Sequence, residues 1–238
     1  MQKHQTGKFK YHSTTPASPG IPQKTLILYH GWGGSAAGYH DAANEMAKTR
    51  YRVIVPEIIY HDTRESLSNH FDQRTTQHYF WKTIVETIEE FDQFVTALGI
   101  PKEDIVVAGS SMGGFIATGI FAREHKLSGL ANINGSGSFL LSEKLFREAD
   151  GRGEIPGAIE KELTEYDPVK RIISPSPVLL IHGDSDEFVS IEGQKDYYRY
   201  LTETGERTNV EFRVYAGVNH VFTDEMVAEL AEWLRKLD

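Results

Sequence analysis

The sequence predicts an α/β protein with a mostly parallel central sheet and helices on both of its faces. Short, nearly continuous apolar runs alternate with amphipathic helical patterns, and short turns join them, which is the pattern of a buried parallel sheet. The chain has 238 residues, of which 39% are hydrophobic and 25% are charged. This length is enough to bury the core of one such domain, so we predict a single domain over residues 1–238.

Apolar runs predict the strands of this sheet, and a weaker pattern at residues 9–11 predicts an edge strand. The run Thr-Leu-Ile-Leu-Tyr at residues 25–29 is apolar almost throughout, as expected for a strand covered on both faces. A turn-rich segment at residues 15–22 separates it from the edge strand. The predicted buried strands lie at residues 25–29, 52–56, 105–108, 127–134, 177–181 and 210–215.

Amphipathic patterns between these runs predict the helices. Residues 76–98 form the longest pattern, in which apolar side chains recur every three or four positions and give one stripe. That stripe consists of Phe80, Ile84, Ile88, Phe91 and Val95. Shorter helices are predicted at residues 36–48, 115–123, 194–202 and 224–237.

Two segments interrupt the alternation of strands and helices. Residues 57–75 are a long polar loop, and loops of this length are usually functional or mobile. Residues 139–174 carry short helical patterns, such as 142–149 and 158–166, but no clear strand. We interpret residues 139–174 as a small cap inserted above the sheet. The alternative is a crossover with extra helices, and the two differ in whether the insert overhangs the functional site.

A G-x-S-x-G motif lies where the strand at residues 105–108 meets the following helix. In this context the motif predicts a nucleophile elbow, a tight turn that lifts one hydroxyl above the sheet. The turn needs glycine because the neighbouring backbone leaves no room for a Cβ atom. Ser111 has Gly109 and Gly113 at the required offsets, whereas Ser110 lacks glycine at both. The sequence therefore selects Ser111 as the nucleophile.

Two later loops, each after a strand, offer a carboxylate and a base. Asp184 and Asp186 follow the strand at residues 177–181, and His220 follows the last strand. A serine hydroxyl needs a base to take its proton, and the base needs a carboxylate to hold it. In elbow-type folds these residues occur in the order Ser, Asp, His. The order identifies His220 as the base and leaves both aspartates as candidates for the acid.

These motifs together resemble the α/β-hydrolase superfamily over roughly residues 26–237. The run from His182 to Val189 is similar to the family's H-G-x-x-D-x-x-V segment, which implies Asp186 as the acid. The loop at residues 30–34, His-Gly-Trp-Gly-Gly, is similar to the family's H-G-x-G-G loop. The resemblance implies an oxyanion hole formed by the backbone N–H groups of Trp32 and Met112.

The sequence most resembles small bacterial serine esterases of the dienelactone-hydrolase and prolyl-oligopeptidase-like branch. Tyr166-Asp167-Pro168, ahead of the strand before Asp186, also looks like that branch. Dienelactone hydrolases proper carry a cysteine at the elbow, and this chain has no cysteine. The resemblance implies a serine carboxylesterase that cleaves small carboxylic esters through an acyl-enzyme on Ser111. A peptidase or amidase on the same triad, and a non-catalytic binding protein with this fold, are the alternatives.

Composition and motifs limit the other partners. The net charge of −9, without a basic cluster, argues against nucleic acid. No apolar run approaches the roughly 20 residues of a membrane span, and no secretory signal is present, so we expect a cytoplasmic protein. Neither a metal-binding His motif nor a nucleotide-binding loop occurs, so no metal and no cofactor is expected. The sequence leaves the oligomeric state open, a homodimer included.

The remaining histidines show no partner pattern. His30 and His182 begin His-Gly turns and are expected to brace backbone. The others are expected on the solvated surface: His4, His12, His40, His61, His70, His78 and His125.

Overall fold

The computed structural model describes residues 1–14, 24–171 and 174–237, so the turn-rich segment predicted at residues 15–22 lies outside the described residues. The described chain contains an eight-stranded sheet. Its strands are β1 (Gln2–Thr6), β2 (Phe9–Thr14), β3 (Thr25–Tyr29), β4 (Arg52–Pro56), β5 (Ile105–Ser110), β6 (Gly129–Ile133), β7 (Val178–Gly183) and β8 (Val210–Tyr215). The helices are α1 (His40–Ala47), α2 (Gln73–Leu98), α3 (Met112–Phe121), α4 (Phe139–Asp150), α5 (Gly157–Tyr166), α6 (Ile191–Arg199) and α7 (Asp224–Lys236).

The strands are ordered β1-β2-β4-β3-β5-β6-β7-β8 across the sheet. The pairs β1/β2 and β2/β4 are antiparallel, and every pair from β4 to β8 is parallel. The predicted α/β architecture with a mostly parallel sheet is therefore confirmed. Because β5, β7 and β8 run in the same direction, the loops that follow them emerge at one edge of the sheet.

The sheet separates two apolar cores. Successive side chains of a strand point to opposite faces, so Ile27 and Tyr29 of β3 enter one core while Leu26 and Leu28 enter the other. Helices α2 and α3 cover the first core, and α1 and α7 cover the second. Helices cover the sheet on both faces, which explains why the central strands are continuous apolar runs in the sequence.

Several elements begin earlier in the structure than the sequence predicts. Helix α3 begins at Met112 rather than at residue 115, because two glycines with low helix propensity are needed where the helix contacts the sheet. Helix α2 begins at Gln73 rather than at residue 76, and its N-cap is Asp72, whose carboxylate accepts the Thr75 N–H at 3.0 Å. Strand β1 was not predicted, because it is a polar, mostly exposed edge strand.

The segment at residues 139–174 contains helices α4 and α5. Phe139, the first residue of α4, is fully buried, and its ring contacts those of Trp81 and Phe115. The Asp167 carboxylate accepts the N–H groups of Phe139 and Leu140 at 3.2 and 3.0 Å. The beginning of the segment is thus fixed to the body of the protein. Its role as a cap stays a prediction.

Candidate active site

The turn between β5 and α3 places Ser111 in a strained backbone conformation. Its φ and ψ are 57° and −125°, values that residues with a Cβ atom rarely adopt. A Cβ atom at Gly109 would lie 2.0 Å from the carbonyl oxygen of Gly113, and one at Gly113 would lie 2.1 Å from that of Tyr29. Glycine is therefore required on both sides of Ser111, as an elbow of this kind demands.

Three side chains that are distant in sequence meet at the carboxyl edge of the sheet. The Nε2 atom of His220 lies 2.7 Å from Ser111 Oγ, and its Nδ1 atom lies 2.6 Å from Asp186 Oδ2. Since a carboxylate only accepts, Nδ1 carries the proton and Nε2 is left to accept from the Ser111 hydroxyl. The side chain of Asp186 is fully buried and that of His220 is 20% exposed, so the base faces solvent and the acid does not.

Asp186 is held as a carboxylate by the donors around it. Burial alone would raise its pKa, but hydrogen bonds from His182, His220 and the Val189 N–H outweigh burial and hold the pKa below its ordinary value. The Oδ1 atom accepts the N–H groups of Phe188 and Val189, both at 2.9 Å. A buried, permanently charged acceptor of this kind fixes the orientation and tautomer of the His220 ring.

The neighbouring Asp184 occupies a different position. Its Oδ1 atom accepts the Gly217 N–H at 2.7 Å and the Ser185 hydroxyl at 3.0 Å, so it braces the turn. His182 is fully buried, and its Nε2 atom lies 2.9 Å from the Val189 carbonyl and 3.3 Å from Asp186 Oδ2. The structure brings Asp186, and not Asp184, to His220.

The glycine-rich loop after β3 lies against Ser111. A Cβ atom at Gly31 would be 3.2 Å from Ser111 Cβ and 3.7 Å from its Oγ, so the loop borders the Ser111 side chain at Gly31, the residue before Trp32. Met112 is the first residue of α3, where the backbone N–H has no acceptor within the helix. The two segments that carry the predicted donors therefore adjoin Ser111, and the donor role of Trp32 and Met112 stays a prediction.

Two residues that the sequence did not single out hold this loop. His61 is fully buried rather than solvated, and its Nε2 atom accepts the Gly33 N–H at 3.0 Å. Asp62 accepts the Ala36 N–H at 3.0 Å and lies 3.1 Å from His30 Nε2. The expectation of a surface position was also wrong for His12, which is buried and contacts His40 at 2.6 Å. These contacts join segments that are distant in the chain, so no periodicity in the sequence signals them.

Exposed aromatic rings flank the triad. Phe188 is 71% exposed, and its ring centroid lies 5.7 Å from that of His220. Phe71 is 77% exposed, and its ring lies so close to Gly33 that a Cβ atom there would be 2.6 Å away. One exposed ring thus lies beside His220 and another beside the glycine-rich loop.

In residues 1–14, 24–171 and 174–237, no three His, Asp or Glu side chains are grouped so that they could hold a metal ion. Over the same residues, no helix is both long enough and apolar enough to span a bilayer.

Fold and site geometry together define an α/β hydrolase, and a solved structure shares the fold. The chain superposes on the protein TT1662 from Thermus thermophilus with a TM-score of 0.72 at 17% identity, covering all of this chain and 98% of that one. The model of the dienelactone hydrolase family matches residues 9–231, and the chain belongs to this family. A lactone is a cyclic ester, so the protein is a hydrolase of ester bonds.

Curated relatives agree with this class. The chain is 27% identical over 236 residues to esterase YjfP of Escherichia coli K12, with 94% of this chain and 93% of that protein covered. It is 22% identical over 237 residues to acyl-protein thioesterase 1 of Yarrowia lipolytica, with 89% of this chain and 91% of that protein covered.

Proposed function

We propose that the protein is a serine carboxylesterase that cleaves small carboxylic esters through an acyl-enzyme on Ser111. One observation carries the proposal: the unbroken hydrogen-bonded series Ser111–His220–Asp186, with distances of 2.7 and 2.6 Å, next to two candidate oxyanion donors. A non-catalytic protein with this fold has no need of a strained serine, a correctly oriented imidazole and a buried carboxylate at one place.

In the first half of the proposed reaction, Ser111 Oγ attacks the acyl carbon while His220 Nε2 takes its proton. The carbonyl oxygen becomes an oxyanion, and the N–H groups of Trp32 and Met112 donate to it. When the tetrahedral intermediate collapses, the bond to the alcohol breaks and Nε2 returns the proton to the leaving oxygen. The buried Asp186 stabilises the imidazolium that exists between these two transfers.

In the second half, water replaces the alcohol. His220 Nε2 takes a proton from the water as its oxygen attacks the acyl-enzyme, and the same two N–H groups hold the second oxyanion. The bond to Ser111 Oγ then breaks, Oγ regains the proton, and the carboxylic acid leaves. No other reactant is required, and one ester and one water give one alcohol and one acid.

The experiment compares wild type, Ser111→Ala and Ser110→Ala on p-nitrophenyl acetate and butyrate. Ser110 is the buried neighbour of Ser111 in the same turn, so Ser110→Ala is a matched control. We expect Ser111→Ala to lose about 10⁵- to 10⁶-fold in kcat and all labelling by a fluorophosphonate probe, as is typical when a triad nucleophile is removed. We expect Ser110→Ala to retain both.

Parallel assays separate the ester from related bonds. A butyryl thioester and a butyryl p-nitroanilide test the thioesterase and amidase alternatives on the same acyl group. Turnover of the anilide at a kcat/KM equal to that of the ester would reassign the protein as an amidase. Absence of turnover by wild type on all three bonds, or probe labelling that survives in Ser111→Ala, would refute the proposal.

A further inference from the structure

The loop that carries the Trp32 N–H is conformationally weak by itself. It contains Gly31, Gly33 and Gly34, and Gly33 has a φ of 69°, in the left-handed region. Glycine gains the most freedom when it is not held, so a loop of this composition keeps one shape only if contacts fix it from outside. Such contacts come from the long segment between β4 and α2, where residues 61–62 hold the backbone of the loop and the His70 carbonyl accepts the Trp32 ring N–H at 2.8 Å.

The direction of the Trp32 N–H is set through the carbonyl of Gly31, because both belong to one planar, trans peptide unit. The Gly31 oxygen lies 2.9 Å from His30 Nδ1 and 3.0 Å from the Gly34 nitrogen. The other ring nitrogen of His30 lies 3.1 Å from Asp62 Oδ2. A series of contacts thus runs from Asp62 through His30 to the peptide unit that carries the N–H.

Asp62 and His61 also hold the loop further along. The second carboxylate oxygen of Asp62 accepts the Ala36 N–H at 3.0 Å, so one side chain fixes the loop at two points. His61 donates from Nδ1 to the Ile59 carbonyl at 3.1 Å and accepts the Gly33 N–H at Nε2 at 3.0 Å. Only a neutral imidazole can make both of these bonds.

The surroundings of His61 keep it neutral. Burial, with a smaller contribution from the adjacent His30, lowers the pKa of His61 to about 3. Its ring packs against the rings of Trp32 and His70, with centroids 5.0 and 4.2 Å away. The acceptor for the Gly33 N–H is therefore present throughout the neutral range of pH.

We infer that His61 and Asp62 are positioning residues, which hold the glycine-rich loop so that the Trp32 N–H points at the oxyanion. The inference rests on the proposed function, since it concerns the same site. In this inference neither side chain contacts the substrate. Their effect is confined to the transition state, where a donor displaced by about 1 Å loses up to about 100-fold in rate.

The test uses three variants of the full chain. His61→Phe keeps the ring and removes the acceptor, whereas His61→Gln keeps an acceptor for the Gly33 N–H. Asp62→Asn tolerates the φ of 51° at this position but leaves one acceptor where the carboxylate supplied two. We expect kcat on p-nitrophenyl acetate to fall about 10- to 100-fold in His61→Phe and less in His61→Gln and Asp62→Asn, with KM within about twofold of wild type.

A boronic acid that forms a tetrahedral adduct with Ser111 supplies the decisive measurement. Its inhibition constant should rise across the variants by the same factor as kcat/KM falls, because the adduct needs the same donors as the transition state. Titration with the fluorophosphonate counts active molecules. A loss of kcat that is fully explained by fewer active molecules, with an unchanged inhibition constant, would overturn the inference.

Thr63→Val is the matched control. Thr63 belongs to the same segment, but its hydroxyl donates to Glu57 at 2.5 Å and its contacts do not reach the glycine-rich loop. The inference is overturned if Thr63→Val loses as much activity as His61→Phe. It is also overturned if all three variants keep kcat and the inhibition constant within about twofold of an active wild type. An inactive wild type removes the proposed function and this inference together.

Discussion

Asp186 shows how hydrogen-bond donors can stabilise the charged form of a buried carboxyl. The sign of its pKa shift follows from two opposing effects. Burial disfavours the charge, and hydrogen bonds from two imidazoles and from backbone N–H groups favour it and prevail. A carboxyl whose pKa is lower in the folded than in the unfolded chain stabilises the fold above the unfolded pKa. That stabilisation is lost as the pH falls from about 3.8 toward the lower folded value.

Asp186→Asn tests this argument at the scale of the residue. At pH 7 we expect the variant to be less stable than wild type by about 2 kcal/mol, the usual contribution of hydrogen bonds to a charged group. Urea unfolding at pH 7 and pH 3 should show the difference narrowing in acid, because the Asp186 carboxyl of the unfolded wild type takes up a proton below its ordinary pKa of about 3.8 while the folded one stays charged. A difference that stays constant or widens would contradict the argument. Asp184→Asn, on the same loop but away from His220, is the control.

Two loops that follow strands carry exposed aromatic rings near the candidate site. Phe71 lies on the loop between β4 and α2, and Phe188 on the loop between β7 and α6. Both rings are largely exposed, Phe188 beside His220 and Phe71 beside Gly33, although an apolar ring gains free energy from being covered. An acyl chain bound at Ser111 can cover such rings, and each added methylene then contributes at most about 0.8 kcal/mol.

We therefore expect Phe188→Ala and Phe71→Ala to change the preference for acyl chain length. The KM for p-nitrophenyl hexanoate should rise up to about tenfold, while the KM for acetate stays within about twofold, because only the longer chain reaches the rings. Val214→Ala removes another exposed apolar side chain, 50% exposed on β8, and serves as control. Equal changes for acetate and hexanoate would show that the rings do not contact the acyl chain.

Periodicity in the sequence was enough to predict most of the strands and helices. The buried strands could be predicted because two-sided burial makes them continuous apolar runs. Ser111 was predicted from its glycine offsets and His220 from its place after the last strand, whereas only the family resemblance separated Asp186 from Asp184. The role of His61 could not be found this way, since its partner Gly33 lies 28 positions earlier in the chain. Helix α3 began before the predicted position because close contact with the sheet, and not helix propensity, selects glycine at residues 113 and 114.

Across the whole molecule, the two cores depend on one sheet. Each central strand contributes alternate side chains to the two faces, so unfolding of either core exposes strands that the other core needs. Ser111, Asp186 and His220 lie on the loops after β5, β7 and β8. In the sheet β7 and β8 are adjacent, and β6 lies between β5 and β7. The site can therefore persist only while the sheet is intact.

Two tryptophans make this dependence measurable, because Trp81 lies in one core and Trp233 in the other. In the variant Trp32→Phe/Trp233→Phe the fluorescence reports on the first core, and in Trp32→Phe/Trp81→Phe it reports on the second. Within each variant we expect the urea midpoints from fluorescence, far-UV circular dichroism and ester hydrolysis to coincide. A midpoint for one core that precedes the loss of circular dichroism would show that the two faces unfold separately. Activity lost before either fluorescence change would show that the triad opens while the sheet stays folded.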